Sequence, residues 1–411
     1  MKNLLIIGHT FPEPSTTAAG SRMLQLIELF LEDGYSITFA STASIGDKSA
    51  DLKSLGITSE TIQLNNNSFD EFLLKENPTI VLFDRFITEE QFGWRVSEVC
   101  PEALKVLDTE DLHFLRKARE AVVKQNKPVE EANLFTETTK RELASIWRCD
   151  LSLIISEAEM TLLQNTFAIP KDLLFYLPFL LSSISDKKIE SLPTFKERNH
   201  FITIGNLLHA PNVDSIKILK KEIWPIIKKQ LPKSELHIYG AYAPQQIQEL
   251  HNPKEGFIIK GWAENSHTVM QQALVCLAPI RFGAGLKGKL IDAVQCGTPF
   301  VTTKIGAEGI YNSPTKNDYK KENWTDFIKK AITLYTDEKT WLEKQHQGFE
   351  TLVNRFDKTL FIKPFLSKIE TVQNNLSQHR NNHFFGQILQ HHTVQSTKFM
   401  SKWIEEKNKS K

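Results

Sequence analysis

Cysteine is scarce in this sequence, and the cysteines present are far apart. The 411 residues include only Cys100, Cys149, Cys276 and Cys296, with no CxxC pair and no cysteine–histidine cluster. This pattern argues against a disulfide framework and against a zinc site of the usual ligand spacing. Since Cys149 and Cys276 lie beside or within apolar segments, we expect buried, reduced thiols, which fit a cytoplasmic protein.

A charge excess and a long apolar run are also missing. The 50 basic and 49 acidic side chains give a net charge of +1, so the composition does not indicate nucleic-acid binding. No apolar run approaches the about 20 residues that a membrane-spanning helix needs. The hydrophobic share of 41% and the charged share of 24% are ordinary for a globular protein, and the length suffices for two domains with complete cores.

Short apolar runs alternate with helical segments along most of the chain, which is typical of an α/β protein with parallel sheets covered on both faces. One long helix is predicted over residues 211–231, with a kink before Pro225. Ligands on such sheets bind beyond the carboxyl ends of the strands. The predicted strands are residues 4–7, 36–40, 80–83, 104–107 and 151–155, then 201–204, 235–239, 257–259, 274–278 and 300–302.

The chain divides at a polar stretch, residues 181–200, which lacks a clear period and is the predicted interdomain linker. The predicted parts are residues 1–185, residues 186–360 and a helical tail, residues 361–411. The end of the tail has two groups of apolar residues at helical spacing. From Lys398 onward it contains five lysines and two glutamates. Two interpretations stay open: packing of the tail on the first domain, or peripheral contact of a basic amphipathic surface with a membrane.

A glycine-bearing loop joins the strand at residues 273–278 to a helix. Gly283 and Gly285 lack a Cβ atom and let a ligand approach the backbone, and the helix start offers free N–H groups to an anion. Lys287 adds positive charge, so the sequence predicts a diphosphate site with Lys287 as its ligand. Lys289 is expected to lie on another side of the helix and to be solvated. The alternative is that the glycines only make turns.

Polar residues also follow the predicted strands of the first half. Histidine titrates near neutrality, so His113 is the first candidate for a catalytic residue. The alternative is a purely structural hydrogen bond to an aspartate in its loop. Two arginines are candidate ligands for an acceptor phosphate or carboxylate, with structural ion pairs as the alternative. The catalytic candidates are His113, Asp108 and Asp111, and the acceptor-side candidates are Gly20, Arg22, Asp84 and Arg85.

Several of these segments, taken in order, resemble the donor-binding region of family 4 glycosyltransferases. Residues 283–289 (GAGLKGK) through 292–293 (DA), residues 296–299 (CGTP) and residues 306–310 (GAEGI) carry the resemblance. Residues 201–205 (FITIG) and 210–214 (APNVD) resemble the start of the family's C-terminal domain, and residues 259–262 (IKGW) resemble its loop near the nucleotide base.

The resemblance implies the GT-B fold, in which two Rossmann-like domains face each other across a cleft. It also implies a hexosyltransferase that moves a sugar from a nucleotide-diphosphate sugar to a hydroxyl acceptor, with retention of configuration and without a metal or other cofactor. A cell-surface glycan or a lipid-linked precursor is the implied acceptor. The implied donor-binding residues are Gly205, Asn206, Gly261, Trp262, Gly283, Ala284, Gly285, Leu286, Lys287 and Asp292.

The sequence departs from the family pattern at two places. The paired glutamates of the family would fall at Ala284 and Asp292, so the first is missing. The usual arginine and lysine after Gly205 are also absent, and His209 or Asn206 would have to replace them. These departures leave the donor sugar open. A nucleotide-sugar 2-epimerase of the same fold and a non-catalytic sugar-nucleotide-binding protein are the alternatives.

Overall fold

The protein is described from a computed structural model that covers residues 2–311 and 324–409. Within these ranges the chain forms two all-parallel sheets. The strands of the first sheet are β1 (Asn3–Gly8), β2 (Ser36–Ser41), β3 (Thr58–Thr61), β4 (Ile80–Asp84), β5 (Leu104–Asp108), β6 (Leu151–Ile154) and β7 (Leu174–Tyr176). Their spatial order is β3-β2-β1-β4-β5-β6-β7.

The second sheet has the order β10-β9-β8-β11-β12 once its strands are numbered along the chain. They are β8 (Asn199–Ile204), β9 (Leu236–Tyr239), β10 (Phe257–Gly261), β11 (Ala273–Ala278) and β12 (Phe300–Thr302). In both sheets the order reverses beside a central strand, which opens a crevice at the carboxyl ends where ligands bind.

Helices cover both faces of both sheets. Those of the first half are α1 (Ala18–Glu32), α2 (Ser68–Glu76), α3 (Arg85–Val99), α4 (His113–Lys124), α5 (Glu137–Arg148), α6 (Glu157–Phe167) and α7 (Asp186–Glu190). Those of the second half are α8 (Ala210–Ile218), α9 (Trp224–Gln230), α10 (Gln245–Gln248), α11 (Ser266–Gln271), α12 (Gly288–Gln295), α13 (Lys304–Ala307), α14 (Trp324–Thr336) and α15 (Glu338–Arg355). The tail contains α16 (Ile362–Asn374), α17 (Leu376–Asn382) and α18 (Phe384–Lys409).

Alternate residues of each central strand enter different cores. In β1, Leu4 and Ile6 pack with α1 on one face, whereas Leu5 and Ile7 pack with α2, α3 and α4 on the other. A strand that is apolar on both faces reads as a continuous apolar run, which is why β1 is evident in the sequence. The second sheet is arranged in the same way, with α12 on one face and α8, α9 and α14 on the other. The predicted α/β class with two parallel sheets is therefore confirmed.

The structure also differs from the predicted elements. β3 and β7 were not predicted, because β3 is a polar edge strand and β7 has three residues. The helix predicted over residues 211–231 is interrupted by a π-helical turn, Leu219–Ile223. This turn immediately precedes Trp224 and Pro225, the proposed position of the kink; proline lacks the N–H group that a continuous helix would use there.

The predicted linker, residues 181–200, contains the short helix α7 and runs into the first two residues of β8. The chain passes the same place a second time, because Leu181 N–H donates to the Phe356 carbonyl and Lys358 N–H donates to the Leu181 carbonyl. The two crossings between the domains thus lie side by side. After the second crossing, α16 returns to the first domain, where Phe365 joins the core beneath β1 and β4.

The last helix, α18, lies against α3 and α5 of the first domain. Its attachment is largely polar: Arg95 of α3 forms ion pairs with both Glu405 and Asp70. At Gly386 the helix backbone comes so near to α5 that an added Cβ would stand 2.1 Å from the Trp147 carbonyl oxygen. The expected domain boundaries at residues 185 and 360 stay a prediction, but the tail of this structure does pack on the first domain.

A buried ion pair joins α1 to β5 in the interior of the first domain. Arg22 donates to both carboxylate oxygens of Asp108 at 2.9 to 3.1 Å and to the carbonyls of Leu177 and Pro178. The side chains of Arg22 and Asp108 are 1% and 0% exposed. The pair fixes the first helix against the strand that leads to the His113 loop.

We expect the Arg22→Met variant to lose about 3–5 kcal/mol of unfolding free energy, because it leaves the buried Asp108 carboxylate without its counter-ion. Urea denaturation followed by circular dichroism measures this loss. The matched control is Lys140→Met, which removes a solvent-exposed ion pair with Glu137 and should leave the midpoint unchanged. Equal midpoints for both variants would contradict the structural importance of the buried pair.

Candidate active site

A cavity with a volume of about 640 Å³ lies between the two domains. It opens at the carboxyl ends of both sheets, where parallel α/β sheets bind ligands. Both halves of the chain contribute to its walls. The predicted residues that line it are Arg85, Asp111 and His113 from the first domain, and Gly205, Asn206, Trp262, Gly283, Ala284, Leu286, Lys287 and Asp292 from the second.

Two helix N-termini from different domains meet in this cavity. An added Cβ on Gly288, the first residue of α12, would stand 2.5 Å from the Cβ of Ala18, the first residue of α1. Neither helix has an acidic side chain in its first turn, so their positive ends are not neutralised within the helix. Two such ends side by side form an arrangement suited to a doubly charged anion.

Lys287 stands at the N-cap position of α12. Its ammonium group donates to the Gly285 carbonyl at 2.9 Å, and the residue is only 8% exposed. Burial lowers the pKa of Lys287, while Glu308 acts in the opposite direction. A cation at a helix N-terminus is opposed by the helix dipole. An anion bound in the cavity would therefore offset the two unfavourable effects on the Lys287 charge, namely burial and the positive end of the helix dipole.

Lys289 does not have the predicted solvated position. Its ammonium group donates to the Asn212 side-chain oxygen at 2.7 Å, and it lines the cavity. Burial lowers its pKa to about 8. Asn212 in turn donates to the Asn206 carbonyl at 2.8 Å, so Lys289 supports the loop that follows β8. The prediction for Lys289 was wrong because its partner is supplied by another helix, α8.

The glycine-bearing loop of the second domain touches the His113 loop of the first. Gly285 has φ +61°, and an added Cβ would stand 2.9 Å from the Cβ of Asp111. Glu159 of α6 joins the two loops, since one of its oxygens accepts from Leu112 N–H at 2.9 Å and from Gly285 N–H at 2.8 Å. Any side chain at position 285 would separate these loops, so glycine is required there.

His113 is held in a polar but mostly buried environment. Its Nε2 atom is 3.3 Å from Asp111, and its ring packs edge-on against Phe86. Arg116 binds Asp111 at 2.7 Å, and together with His113 it holds the pKa of that carboxylate well below its usual range against the effect of burial. Burial lowers the pKa of His113 to about 4. Asp111 acts to raise this pKa, but Arg116 and Arg85 offset its effect. The imidazole is therefore neutral at physiological pH.

Further contacts between the domains border the cavity. Arg119 of α4 forms a bidentate ion pair with Glu308 and also donates to the Gly283 carbonyl. At the rim, the Trp262 indole donates to the Ser15 carbonyl at 3.3 Å. The structure thus brings two loops of the second domain, the glycine-bearing loop and the loop that contains Trp262, into direct contact with the first domain.

The structure places several predicted site residues outside the cavity. Arg22 and Asp108 are bound to each other in the interior, so neither the acceptor role of Arg22 nor the catalytic role of Asp108 fits. Asp84 is buried and accepts from His9 N–H at 3.0 Å, and Gly20 packs against the Glu13 backbone. Of the four acceptor-side candidates, only Arg85 lines the cavity. Gly261 and Gly285 lie behind its wall and shape the loops that do line it.

The sequence interpretation missed four residues that shape the site: Arg116, Arg119, Glu159 and Asn212. Arg119, Glu159 and Asn212 contact residues far away in the chain, as when Arg119 binds the Gly283 carbonyl across 164 residues. Glu159 lies one helical turn after a strand end, and that position was its only signal in the sequence. Arg116 could have been suspected, because it follows His113 by three residues on the same helix.

No group of three or more histidine, cysteine, aspartate or glutamate side chains in the described parts of the chain is placed to hold a metal ion. Among the helices described, none is both long enough and apolar enough to cross a membrane.

Comparison with known proteins identifies the class. Residues 198–337 match the family model described as glycosyl transferases group 1. The match covers all five strands of the second sheet, β8 to β12. The prediction of a glycosyltransferase with the GT-B fold is thus confirmed, whereas membership of family 4 in particular stays a prediction. No curated protein sequence matches the chain.

Solved glycosyltransferase structures share the fold over most of this chain. TarM of S. aureus, in complex with fondaparinux, alpha-GlcNAc-glycerol and UDP, has a TM-score of 0.65 at 11% identity, covering 91% of this chain and 100% of its own. Anabaena HepE, in complex with UDP and glucose, has a TM-score of 0.62 at 13% identity, covering 90% and 100%. WaaG, a glycosyltransferase involved in lipopolysaccharide biosynthesis, has a TM-score of 0.57 at 11% identity, covering 88% and 98%. At these identities the likeness shows the fold.

The neutral state of His113 can be measured directly. In a histidine-labelled sample, the NMR resonance that His113→Ala removes should titrate with a pKa of about 4. The unfolded chain binds a proton here below about pH 6.5, while the folded chain does not until about pH 4, so this residue lowers stability as pH falls through that window. Titration of the assigned resonance near 6.5 would show an open, hydrated site instead.

Proposed function

We propose that this glycosyltransferase transfers a hexose from a nucleotide-diphosphate sugar to a hydroxyl acceptor in the cleft between its domains. The observation that carries the proposal is the meeting of the α1 and α12 N-termini beside Lys287, in the same cavity as His113. The cavity volume of about 640 Å³ lies in the range of small-molecule sites. The match of the second domain to glycosyl transferases group 1 supports the same reaction.

Lys287 and the two helix N-termini would hold the diphosphate of the donor. The leaving nucleotide gains negative charge as the glycosidic bond breaks, and fixed positive groups stabilise this charge most in the transition state. Lys287 is preorganised for this role, since its hydrogen bond to Gly285 holds the ammonium group over the loop. This positive end of the cleft supplies charge stabilisation from the chain itself, which supports metal-independent transfer.

His113 would act at the sugar. Its neutral imidazole can exchange hydrogen bonds with a sugar hydroxyl without bringing a net charge, and Asp111 lies 3.3 Å from its Nε2 atom to orient the ring. Asp292, which lines the second-domain wall near His267, would bind ribose hydroxyls. Retention of anomeric configuration rests on the family resemblance alone, and the anomer of the product tests it.

The acceptor side of the cleft is formed by the first domain, where Arg85 remains the candidate ligand for a negatively charged acceptor. We place the acceptor among cell-surface glycans and their lipid-linked precursors. The GT-B structures bound to UDP, or to UDP and glucose, make UDP-sugars the first donors to test. A cytoplasmic site for the reaction is part of the same proposal.

Two substitutions separate the donor and sugar functions. Lys287→Met should weaken UDP binding by roughly 1–3 kcal/mol, the range for a lost charged hydrogen bond, as measured by calorimetry. His113→Ala should keep the UDP affinity but lower kcat about 10²-fold, within the range for a positioned polar catalytic group. The control, Lys304→Met, removes an exposed lysine of the same domain and should change neither quantity.

The products distinguish this function from its alternatives. Transfer requires an acceptor, a 2-epimerase converts the donor without one, and a non-catalytic binding protein gives no product. Full turnover of His113→Ala on the identified substrates would remove His113 from the reaction, and unchanged UDP affinity in Lys287→Met would remove Lys287 from the diphosphate site.

The tail carries an exposed apolar surface that favours contact with a membrane. Six large side chains of α18 are 41–63% exposed, and at about 100° per residue they fall within one arc of about 160°. These side chains, called the α18 apolar face below, are Phe384, Phe385, Ile388, Phe399, Met400 and Trp403. The side of the helix with Gly386 and Ser401 packs on the protein, and Phe385, within the apolar face, also contacts Trp147 of α5.

We assign an anionic lipid bilayer as the occupant of the α18 apolar face. From Lys398 to the chain end the sequence contains five lysines and two glutamates. This excess of positive charge complements negatively charged headgroups. The aromatic residues among the six suit the interfacial region of a bilayer.

Vesicle sedimentation tests the assignment. The wild-type protein should bind vesicles of phosphatidylcholine with phosphatidylglycerol more than vesicles of phosphatidylcholine alone, and salt should reduce binding. Phe399→Ser with Trp403→Ser should abolish binding, whereas Leu342→Ser, at an exposed leucine of α15, should not. If light scattering instead finds that the wild-type protein is a dimer and the double variant a monomer, the surface is a self-association interface and the bilayer assignment fails.

A further inference from the structure

A second cavity lies at the opposite end of the first sheet from the active site. It has a volume of about 310 Å³, at the lower end of the range for small-molecule sites. The amino end of β5 and the ends of α3 and α5 form one wall, and α17 and the start of α18 form the other. None of its lining residues belongs to the active-site cleft.

A buried cation that forms no ion pair with any described residue lies in this cavity. Lys105 of β5 is 6% exposed, and its ammonium group donates to Ser97 Oγ at 3.0 Å and to Gln390 Oε1 at 3.3 Å. Asp150, in the wall of the same cavity, acts on the ammonium group electrostatically but forms no direct ion pair with it. A buried ammonium that lacks a counter-ion is costly, and burial correspondingly lowers the pKa of Lys105.

The neighbouring amide offers an unused donor. Gln390 Oε1 must face Lys105, because an ammonium group can only donate. This fixes the orientation of the amide and leaves Gln390 Nε2, which is buried and has no hydrogen-bond partner. Two adjacent groups thus present donors to the cavity, and the missing partner is an acceptor.

The single acidic side chain in the wall of this cavity does not fill that need. Asp150 accepts from Arg380 at 2.8 and 2.9 Å and from the Lys105 backbone N–H at 2.8 Å. His383 and His391 complete the wall on the tail side. The cavity therefore combines spare donors and one unneutralised cation with a carboxylate that is already bound.

We propose that this cavity binds a small oxyanion of the phosphate type, held by the Lys105 ammonium and the Gln390 amide. A phosphate oxygen supplies the acceptor and the negative charge that both groups lack, and charge-assisted hydrogen bonds of this kind are the strong ones. The site joins the tail to the first sheet, so an occupied site stabilises the packing of α17 and α18. Its chemistry fits both free phosphate and a phosphate ester.

The test measures melting temperature and calorimetric affinity with inorganic phosphate, and with glycerol 3-phosphate to represent a phospholipid headgroup, at constant ionic strength set with chloride. Phosphate should raise the wild-type melting temperature by mass action. Lys105→Met should weaken phosphate binding at least roughly tenfold, which is about 1.4 kcal/mol. Gln390→Glu places a carboxylate beside Lys105, so this variant should fold, melt higher without ligand and lose the part of the phosphate response that belongs to this cavity.

Phosphate can also enter the active-site cleft, so the measurements are repeated on Lys287→Met, which should keep the phosphate response of the second cavity. A response that Lys287→Met abolishes and Gln390→Glu preserves would overturn the proposal. So would a wild-type protein that phosphate and glycerol 3-phosphate affect no more than chloride, since the cavity would then hold water only. A response to glycerol 3-phosphate alone would assign the site to a phosphate ester.

Discussion

The active site depends on one carboxylate oxygen. Glu159 accepts hydrogen bonds from Leu112 in the first domain and from Gly285 in the second, and it is 1% exposed. These two backbone groups begin the His113 helix and end the turn before Lys287. This bridge holds the His113 loop of one domain against the loop before Lys287 of the other, and Arg119 adds a second link through Glu308 and the Gly283 carbonyl. Burial raises the pKa of Glu159 to about 7, so the bridge lies near its protonation point at neutral pH.

The burial that makes this contact possible also sets the charge state of the site. Arg119 and Glu308 neutralise each other across the domains, and Arg116 neutralises Asp111. Arg85 is paired with Asp84 at 3.6 Å, which leaves a neutral imidazole at His113 and the cations Lys287 and Lys289 in the cavity wall. Because the imidazole carries no charge, it does not compete with the ammonium group for an anionic ligand, and the positive potential of the cleft stays at the junction of α1 and α12.

The parts of the molecule that could be predicted from sequence are those that local patterns determine. β1 was evident because both of its faces are buried, whereas polar β3 was not. Site residues at strand ends were found because parallel sheets place them at one edge. Which of these side chains contact each other could not be predicted from the sequence. Arg22 and Asp108 are 86 residues apart, and nothing local shows that they face each other in the core. Lys289 was misjudged for the same reason, since Asn212 reaches it from another helix.

The cleft is electrically divided, and this division gives a bound donor its direction. The α1 and α12 N-termini with Lys287 form a positive end, while Glu110 lines the part of the cavity near His113. Burial raises the pKa of Glu110 well above its usual range, and Asp108 and Asp84 add to the effect, so a negative charge is disfavoured at this end of the cleft. A nucleotide-diphosphate sugar is anionic at its phosphates and uncharged at its hexose. For the donor proposed above, the field of the chain therefore favours the orientation that puts the hexose beside His113.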